Sequence, residues 1–165
     1  DSSNGTIAYA IANPTTFITE SRYILDWYYT DSEPTYNTRW TTSDKAKSIY
    51  DPCPAGWRVP DGGIDGVWSK ALGSSSEFTN VFDEVDRGMN FSGKFGSDQT
   101  IWYPASGCRY YRDGSLDDVG VSGYYWSASP FSRSAYVLYF RSHGYVTPSY
   151  HTNRAYGRSV RCLQE

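Results

Sequence analysis

Apolar and polar residues alternate in the second half of the chain, as they do along half-buried β-strands. In the segment 135–141 (AYVLYFR), Tyr136, Leu138 and Phe140 fall on one face, and the residues between them fall on the other. Similar patterns predict further strands over 101–104 with a continuation over 107–111, over 119–128 and over 159–163. The Arg112-Asp113-Gly114 sequence between them is typical of a tight turn.

Helical spacing of apolar residues is confined to two short segments in the first half of the chain. Residues 6–12 (TIAYAIA) predict a helix with Thr6 as its N-cap, and Asn13-Pro14 ends it. Residues 64–72 (IDGVWSKAL) predict a second helix, which Gly73 ends. Two short helices followed by several short strands indicate an α+β fold with antiparallel sheet.

The remaining segments carry turn-forming residues. The apolar residues between Phe17 and Leu25 suit a short extended stretch, whereas 30–48 is predicted to be a loop and 80–98 to be irregular. The segment 51–60 (DPCPAGWRVP) contains three prolines and cannot be helical. We expect it to form a rigid extended turn that buries Trp57.

The chain has 165 residues, of which 18% are aromatic, with 16 Tyr and 6 Trp. This length suits one ordinary domain with a real core, so we predict a single domain over 1–165. No apolar run approaches the roughly 18 residues that a membrane helix needs, so no membrane insertion is expected. The chain begins at Asp1 without Met, which is typical of a processed or shortened product.

Composition changes sharply near the C-terminus. The window 127–161 contains no Lys, Glu, Gln, Met or Trp, although the preceding 126 residues contain 16 of them. At that frequency about four would be expected in the window. These five residues are the ones that a codon ending in a pyrimidine cannot encode. Randomising the first two bases of Asn codons would produce this composition, which points to a site diversified for binding.

Charge is distributed unevenly between this window and the rest of the chain. The window has five Arg and no acidic residue, hence +5, and since the whole chain carries −3, the remainder carries −8. A basic aromatic patch can bind nucleic acid. However, the window lacks a Lys cluster, and an acidic body repels phosphate at long range. We therefore predict no nucleic-acid partner.

The three cysteines do not match the spacing of a zinc site. If the protein is exported, we expect a disulfide between Cys53 and Cys162, which would close a long loop. Cys108 is then left over as a small buried thiol. A catalytic Cys108 is the alternative, but no His/Asn constellation accompanies it.

Several fragments together resemble a known family. They are NPTTFI at 13–18, DW at 26–27, DPCPAGWRVP at 51–60, YPASG at 103–107, GYYWSAS at 123–129 and GRSVRCL at 157–163. The chain resembles, over nearly its whole length, the bacterial surface domains of the major paralogous (FISUMP) type. The resemblance implies a C-type-lectin-like fold, related to that of the formylglycine-generating enzymes, with short antiparallel strands, two short helices and long loops.

The region of about 129–157 is also similar to the variable region of proteins that diversity-generating retroelements diversify. In those systems a reverse transcriptase mutates adenines of a template repeat. Each proposed variable residue can be reached from an Asn codon by changing adenines, and Asn153 is then an unchanged remnant. The fifteen predicted ligand-binding positions are Phe131, Arg133, Ser134, Val137, Tyr139, Arg141, His143, Gly144, Tyr145, Thr147, Tyr150, His151, Thr152, Asn153 and Tyr156.

This partition agrees with the strand pattern. Leu138 and Phe140 would face the core, where truncation costs roughly 2–5 kcal/mol, whereas the variable positions alternate with them. We therefore expect variation on the outward face and in a loop over 143–153, with Trp126 in the core. Aromatic side chains would supply contact area, Arg planar donors, and His hydrogen bonding and pH dependence.

Three other functions remain open. A calcium-dependent sugar lectin would need several oxygen ligands, but the window has no carboxylate, and Asp113, Asp117 and Asp118 suit a solvated turn. Without a metal, such a lectin could still stack sugar on Tyr. A formylglycine-generating enzyme would need reactive cysteines in a groove. A plain surface or pilus adhesin would share the fold without diversification.

Recognition without catalysis is the reading that we prefer, with no cofactor and no metal. The expected partner is a protein or glycan on a cell or phage surface, and the expected location is extracellular, on the cell surface or on a phage particle.

Overall fold

A computed structural model describes residues 6–19, 40–41, 46–72, 81–92 and 100–165. Within these ranges, the helices are α1 (Ile7–Ala12) and α2 (Val67–Leu72). The strands are β1 (Trp57–Arg58), β2 (Val81–Asp83), β3 (Gly88–Ser92), β4 (Thr100–Pro104), β5 (Cys108–Arg109), β6 (Leu116–Asp117), β7 (Ser122–Phe131), β8 (Ser134–Arg141), β9 (Val146–Asn153) and β10 (Leu163–Gln164). The described strands pair antiparallel in four small sheets, which confirms the α+β prediction. None of the described helices is long and apolar enough to cross a membrane.

The two helices form where the sequence predicts them. The Thr6 hydroxyl accepts a hydrogen bond from the Tyr9 amide at 3.1 Å, and Asn13 ends α1. Helix α2 begins later than expected because 63–66 first form a turn, in which the Gly66 amide donates to the Gly63 carbonyl. A Cβ atom on Gly62 would lie 2.2 Å from the Ser127 hydroxyl oxygen, so the residue before this turn packs closely against β7.

The largest described sheet has the order β7-β8-β9. In β8, Leu138 pairs with Tyr125 of β7, and Phe140 pairs with Gly123. A register shift interrupts the β8–β9 pairing between Val137 and Tyr139. The segment after β9 returns to the outer edge of β7, where the Trp126 amide donates to the Ser159 carbonyl at 2.9 Å.

The main core lies on one face of this sheet, which we call the core face. Leu138 and Phe140 are fully buried there, as predicted. Phe140 packs edge-on against Phe91 of β3, with ring centroids 5.6 Å apart. The other buried members of this cluster are Trp68, Leu72, Met89, Tyr103, Ala105, Tyr125 and Val146. Helix α2 and the β2-β3-β4 sheet therefore pack against the core face of the β7-β8-β9 sheet.

A disulfide joins Cys53 to Cys162, with their Cα atoms 5.8 Å apart, and this is the pairing that the sequence predicts. Strands β1 and β10 pair beside it. The buried Asp51 carboxylate accepts hydrogen bonds from the Cys53 amide at 2.8 Å and the Val59 amide at 2.9 Å. This arrangement turns Val59 inward with no exposed surface, whereas Trp57 is 41% exposed. The expectation that Trp57 is buried was wrong.

Several predicted element boundaries also differ from the structure. The segment 143–153 is not a loop, because most of it forms β9. Residues 81–92 form the β2–β3 hairpin within a region predicted to be irregular. Strand β5 does not continue β4, because it pairs with β6 across the predicted turn. Most of the stretch between Phe17 and Leu25, most of the 30–48 loop and Gly73 lie outside the described residues.

Candidate functional site

The fifteen predicted binding positions lie in the β7-β8-β9 sheet, in its connecting turns and in the segment after β9. Fourteen of them are at least partly exposed. Val137 is the exception, because it is fully buried. The expectation that every position faces solvent was therefore wrong for Val137.

The set divides between the two faces of the sheet. Val137 pairs with Tyr150, whereas Tyr136 pairs with His151, so these neighbouring pairs point to opposite sides. We call the side that carries Tyr150 the tyrosine face. By register it carries Val137, Tyr139, Arg141, Thr147, Tyr150 and Thr152. Ser134, His151 and Asn153 lie on the same side of the sheet as Leu138 and Phe140. The expectation that the variable positions share one outward face was therefore wrong.

The tyrosine face is a connected set of aromatic rings. Tyr139 stacks on Tyr124 of β7 with centroids 4.8 Å apart and an interplanar angle of 9°. Tyr139 also contacts the rings of Tyr145 at 5.6 Å and Tyr150 at 5.3 Å. Tyr145 is 56% exposed and Tyr150 is 42% exposed. Aromatic pairs of this kind restrain one another, so the rings offer a preorganised surface.

Arg158 lies over the same face. Its guanidinium carbon is 4.3 Å from the ring centroid of Tyr124, 5.3 Å from that of Trp126 and 4.7 Å from that of Tyr156. Its Nη2 atom donates to the Thr152 hydroxyl at 3.2 Å. Burial lowers the pKa of the Arg158 guanidinium, and among the described residues its Nε and Nη1 atoms have no hydrogen-bond partner.

The buried Val137 lies beside residues that this C-terminal segment contacts. Val137 pairs with Trp126, which is itself buried beneath the guanidinium of Arg158. Ala155, from the same segment, has no exposed surface. The centre of the tyrosine face is therefore an interior position. Substitution at Val137 should affect folding more directly than binding.

Sequence reasoning missed two aromatic residues that adjoin this set. Tyr110 and Tyr111 follow β5, and their ring centroids lie 5.7 Å and 5.0 Å from that of Tyr156. The Arg109 amide donates to the Gly157 carbonyl at 2.7 Å, which fixes the turn beside the C-terminal segment. The sequence did contain a signal for these residues, because Tyr110-Tyr111-Arg112 lie at a predicted tight turn. Turns are usually exposed, so two tyrosines there indicate a contact surface more than a core.

Charges on the site are mostly engaged in the fold. Asp118 accepts a hydrogen bond from the Tyr124 hydroxyl at 2.7 Å and lies 4.0 Å from the Arg141 guanidinium. Burial, followed by this hydrogen bond, raises the pKa of Tyr124. Arg154 donates to backbone carbonyls, and Arg161 donates to a backbone carbonyl and lies over the ring of Tyr103. Much of the positive charge in the window is therefore structural.

A second aromatic group lies at the β7–β8 hairpin end, on the other side of the sheet. The ring of Phe131 is 4.1 Å from that of His151 and 5.2 Å from that of Tyr136. Phe131 is 41% exposed. Arg133 lies in the hairpin turn, and His143 lies in the exposed turn between β8 and β9. These residues therefore lie outside the tyrosine face as the strand register defines it.

Cys108 and Asp113 are the residues on which cysteine chemistry and cation binding would depend. Cys108 is a buried free thiol whose pKa is raised by burial, which disfavours the nucleophilic thiolate. Asp113 accepts hydrogen bonds from the amide and hydroxyl of Ser115 and thereby caps its own turn. Across the described ranges, no group of three His, Cys, Asp or Glu side chains is arranged to hold a metal ion.

A family model described as a domain of unknown function (DUF8237) matches residues 64–163. The chain belongs to this family. The DUF8237 region runs from the turn before α2 into β10, and it includes all fifteen positions and the Tyr110-Tyr111 turn. No curated protein and no solved structure matches the chain.

Proposed function

We propose that this chain is a ligand-binding domain with a C-type-lectin-like fold, and that a retroelement diversifies its recognition surface. The surface consists of the exposed predicted positions at the end of β7, on β8 and β9, in their turns and in the segment that follows. Its partner is a protein or another ligand on a cell or phage surface. The domain itself acts outside the cell or on a phage particle, and it binds without catalysing a reaction.

The observation that carries this proposal is a coincidence between composition and exposure. The window that lacks Lys, Glu, Gln, Met and Trp runs from the second half of β7 through β8 and β9 into the segment after them, where fourteen of the fifteen positions are at least partly exposed. A packing requirement does not explain the absence, because Lys, Glu and Gln are common on solvated strands and turns. A restriction on codons explains it without reference to packing.

The physical chemistry of the exposed side chains suits recognition. Tyr139, Tyr145 and Tyr150 are held by mutual ring contacts, so binding would order few additional torsions. Large aromatic side chains and Arg commonly dominate the energy of protein interfaces. Arg133 and His143 at the turns add donors at the periphery.

A plain, non-diversified adhesin remains the second candidate, and one observation favours it. Val137 is fully buried, although it belongs to the proposed variable positions, which can be reached from an Asn codon by changing adenines. Free variation at an interior position would often destabilise the fold. An adhesin with a fixed surface has no such difficulty.

The nucleotide sequence around the gene tests the proposal. We expect a near-copy of the codons for 129–162 that differs only where the copy has adenine, beside a reverse-transcriptase gene. The codons for 100–126 serve as the matched control, because they should have no second copy. Absence of the near-copy from the complete parent genome would refute diversification and leave the adhesin.

A further inference from the structure

The aromatic rings of the tyrosine face continue beyond the proposed variable positions. Tyr156 contacts Tyr111 on one side and lies under the guanidinium of Arg158 on the other. Arg158 in turn lies over Tyr124, on which Tyr139 stacks. We call this continuous set the aromatic ridge. Its members are Tyr110, Tyr111, Tyr124, Tyr139, Tyr145, Tyr150, Tyr156 and Arg158.

The ridge contains both variable and fixed residues. Tyr139, Tyr145, Tyr150 and Tyr156 belong to the proposed variable set, whereas the remaining members do not. Tyr110 and Tyr111 are partly exposed at the end of the ridge, and Arg112 beside them is exposed. The Arg112 Nε atom donates to the Tyr111 hydroxyl at 3.1 Å, and its guanidinium lies 5.5 Å from the Tyr111 ring centroid.

The fixed end is held in place by the backbone and by a side-chain cap. The Tyr110 amide donates to the Ser115 carbonyl at 2.8 Å, and the Gly114 amide donates to the Tyr110 carbonyl at 2.8 Å. The Asp113 carboxylate accepts from Ser115, as described above. A partner that touches Tyr156 would therefore meet a preformed neighbour at Tyr111, whichever side chains occupy the variable positions.

Tyrosine hydroxyls, which both donate and accept, and the guanidinium of Arg158 are the polar groups of the ridge. The exposed guanidinium groups of Arg112 and Arg141 lie beside it, and that of Arg141 is 4.0 Å from Asp118. Two nearby carboxylates are already engaged, Asp118 with Tyr124 and Arg141, and Asp113 with Ser115. The window itself contributes no acidic side chain. The remainder of the chain carries −8, so attraction of an acidic partner is confined to short range, where Arg binds carboxylates in planar, charge-assisted pairs.

We infer that Tyr110, Tyr111 and Arg112 form a constant part of the recognition surface, and that the composite surface binds polypeptide segments bearing Asp or Glu. This inference rests on the proposed function and specifies its partner class. The constant part supplies aromatic contact and one guanidinium to every variant of the domain. The variable part then selects among acidic segments.

A random-peptide library displayed on phage, panned against the intact disulfide-bonded chain, tests the inference. We expect enriched peptides to contain more Asp and Glu than the starting library, and their binding to weaken as salt concentration rises. Synthetic copies of the enriched peptides should bind about tenfold more weakly to each of Tyr111→Ala, Arg112→Gln and Tyr150→Ala. Ile101→Ala is the matched control, since Ile101 is 52% exposed on β4, and it should bind normally. Thermal unfolding of each variant shows whether it is folded.

The possible outcomes separate the inference from the function on which it rests. If nothing is enriched, or if the enriched peptides are not acidic, the assigned partner class is refuted. If Tyr150→Ala weakens binding but folded Tyr111→Ala and Arg112→Gln do not, the constant part is refuted and the proposed function stands. If none of the three folded variants weakens binding, the peptides bind elsewhere and the proposed recognition surface fails as well.

Discussion

Truncating Val137 tests whether the centre of the tyrosine face is an interior site. Val137→Ala removes two methyl groups from a side chain with no exposed surface. At about 0.8 kcal/mol per buried carbon, the lost transfer free energy is about 1.6 kcal/mol. Incomplete collapse of the resulting cavity raises the expected loss of unfolding free energy to about 2–3 kcal/mol. For a domain of this length, Tm should fall by about 4–12 °C.

The measurement is equilibrium denaturation with the disulfide intact, and tryptophan fluorescence monitors unfolding. Val81→Ala is the matched control, because Val81 also lies in a strand but is 64% exposed. We expect it to change the free energy of unfolding by less than about 0.5 kcal/mol. The reasoning is refuted if Val137→Ala is as mild as Val81→Ala. Such a result would show that this position is not closely packed.

Three other predictions concern the scaffold. In a double-mutant cycle, truncating Tyr124 and Tyr139 to Ala should show a favourable coupling of about 0.5–1.5 kcal/mol, and a coupling near zero would contradict the stacking seen at 4.8 Å. Replacing Cys53 and Cys162 together with Ala should lower the free energy of unfolding by about 2–5 kcal/mol, since the disulfide spans a sequence separation of 109; unchanged denaturation midpoints would argue against it. Burial raises the pKa of Tyr125 to about 12, so its stabilisation is present below the unfolded pKa of about 10 and is lost as pH rises towards 12. Tyr125→Phe should therefore reduce the loss of stability at alkaline pH, and a pH profile identical to that of the unaltered chain would contradict this.

Hydrophobic alternation predicted β8 correctly because Leu138 and Phe140 enter a core that accepts apolar side chains from one face only. The same alternation failed at Val137, which is fully buried and pairs with Trp126, the ring that Arg158 lies over about 20 residues further along the chain. Strand patterns report which residues share a face, but not whether a distant segment covers it. The sequence also did not show that the candidate site is divided between two faces, because 143–153 was predicted to be a loop and not the strand β9.

Polar interactions account for the other differences. The large aromatic side chain of Trp57 led us to expect its burial. Instead, the Asp51 carboxylate accepts a hydrogen bond from the Val59 amide, and it is Val59 that is buried. Strand β9 carries little apolar alternation, and its extended form depends on pairing with β8 along its length. Local sequence does not indicate that the Asp51 carboxylate binds an amide eight residues away. It also does not indicate a polar edge strand such as β9, because propensities are weak and depend on context.

The framework around the candidate site holds the backbone more than the side chains. Arg154 donates to the Ser134 carbonyl at 2.9 Å and to the Ser132 carbonyl at 2.8 Å, so it fixes the hairpin turn whichever side chains the turn carries. Ser127 donates to the Tyr136 carbonyl at 2.8 Å in the same manner. Every residue type presents a backbone carbonyl, so these bonds survive substitution at the neighbouring positions. A scaffold anchored in this way can retain one fold while its exposed side chains change, and Val137 is the position where that tolerance should end.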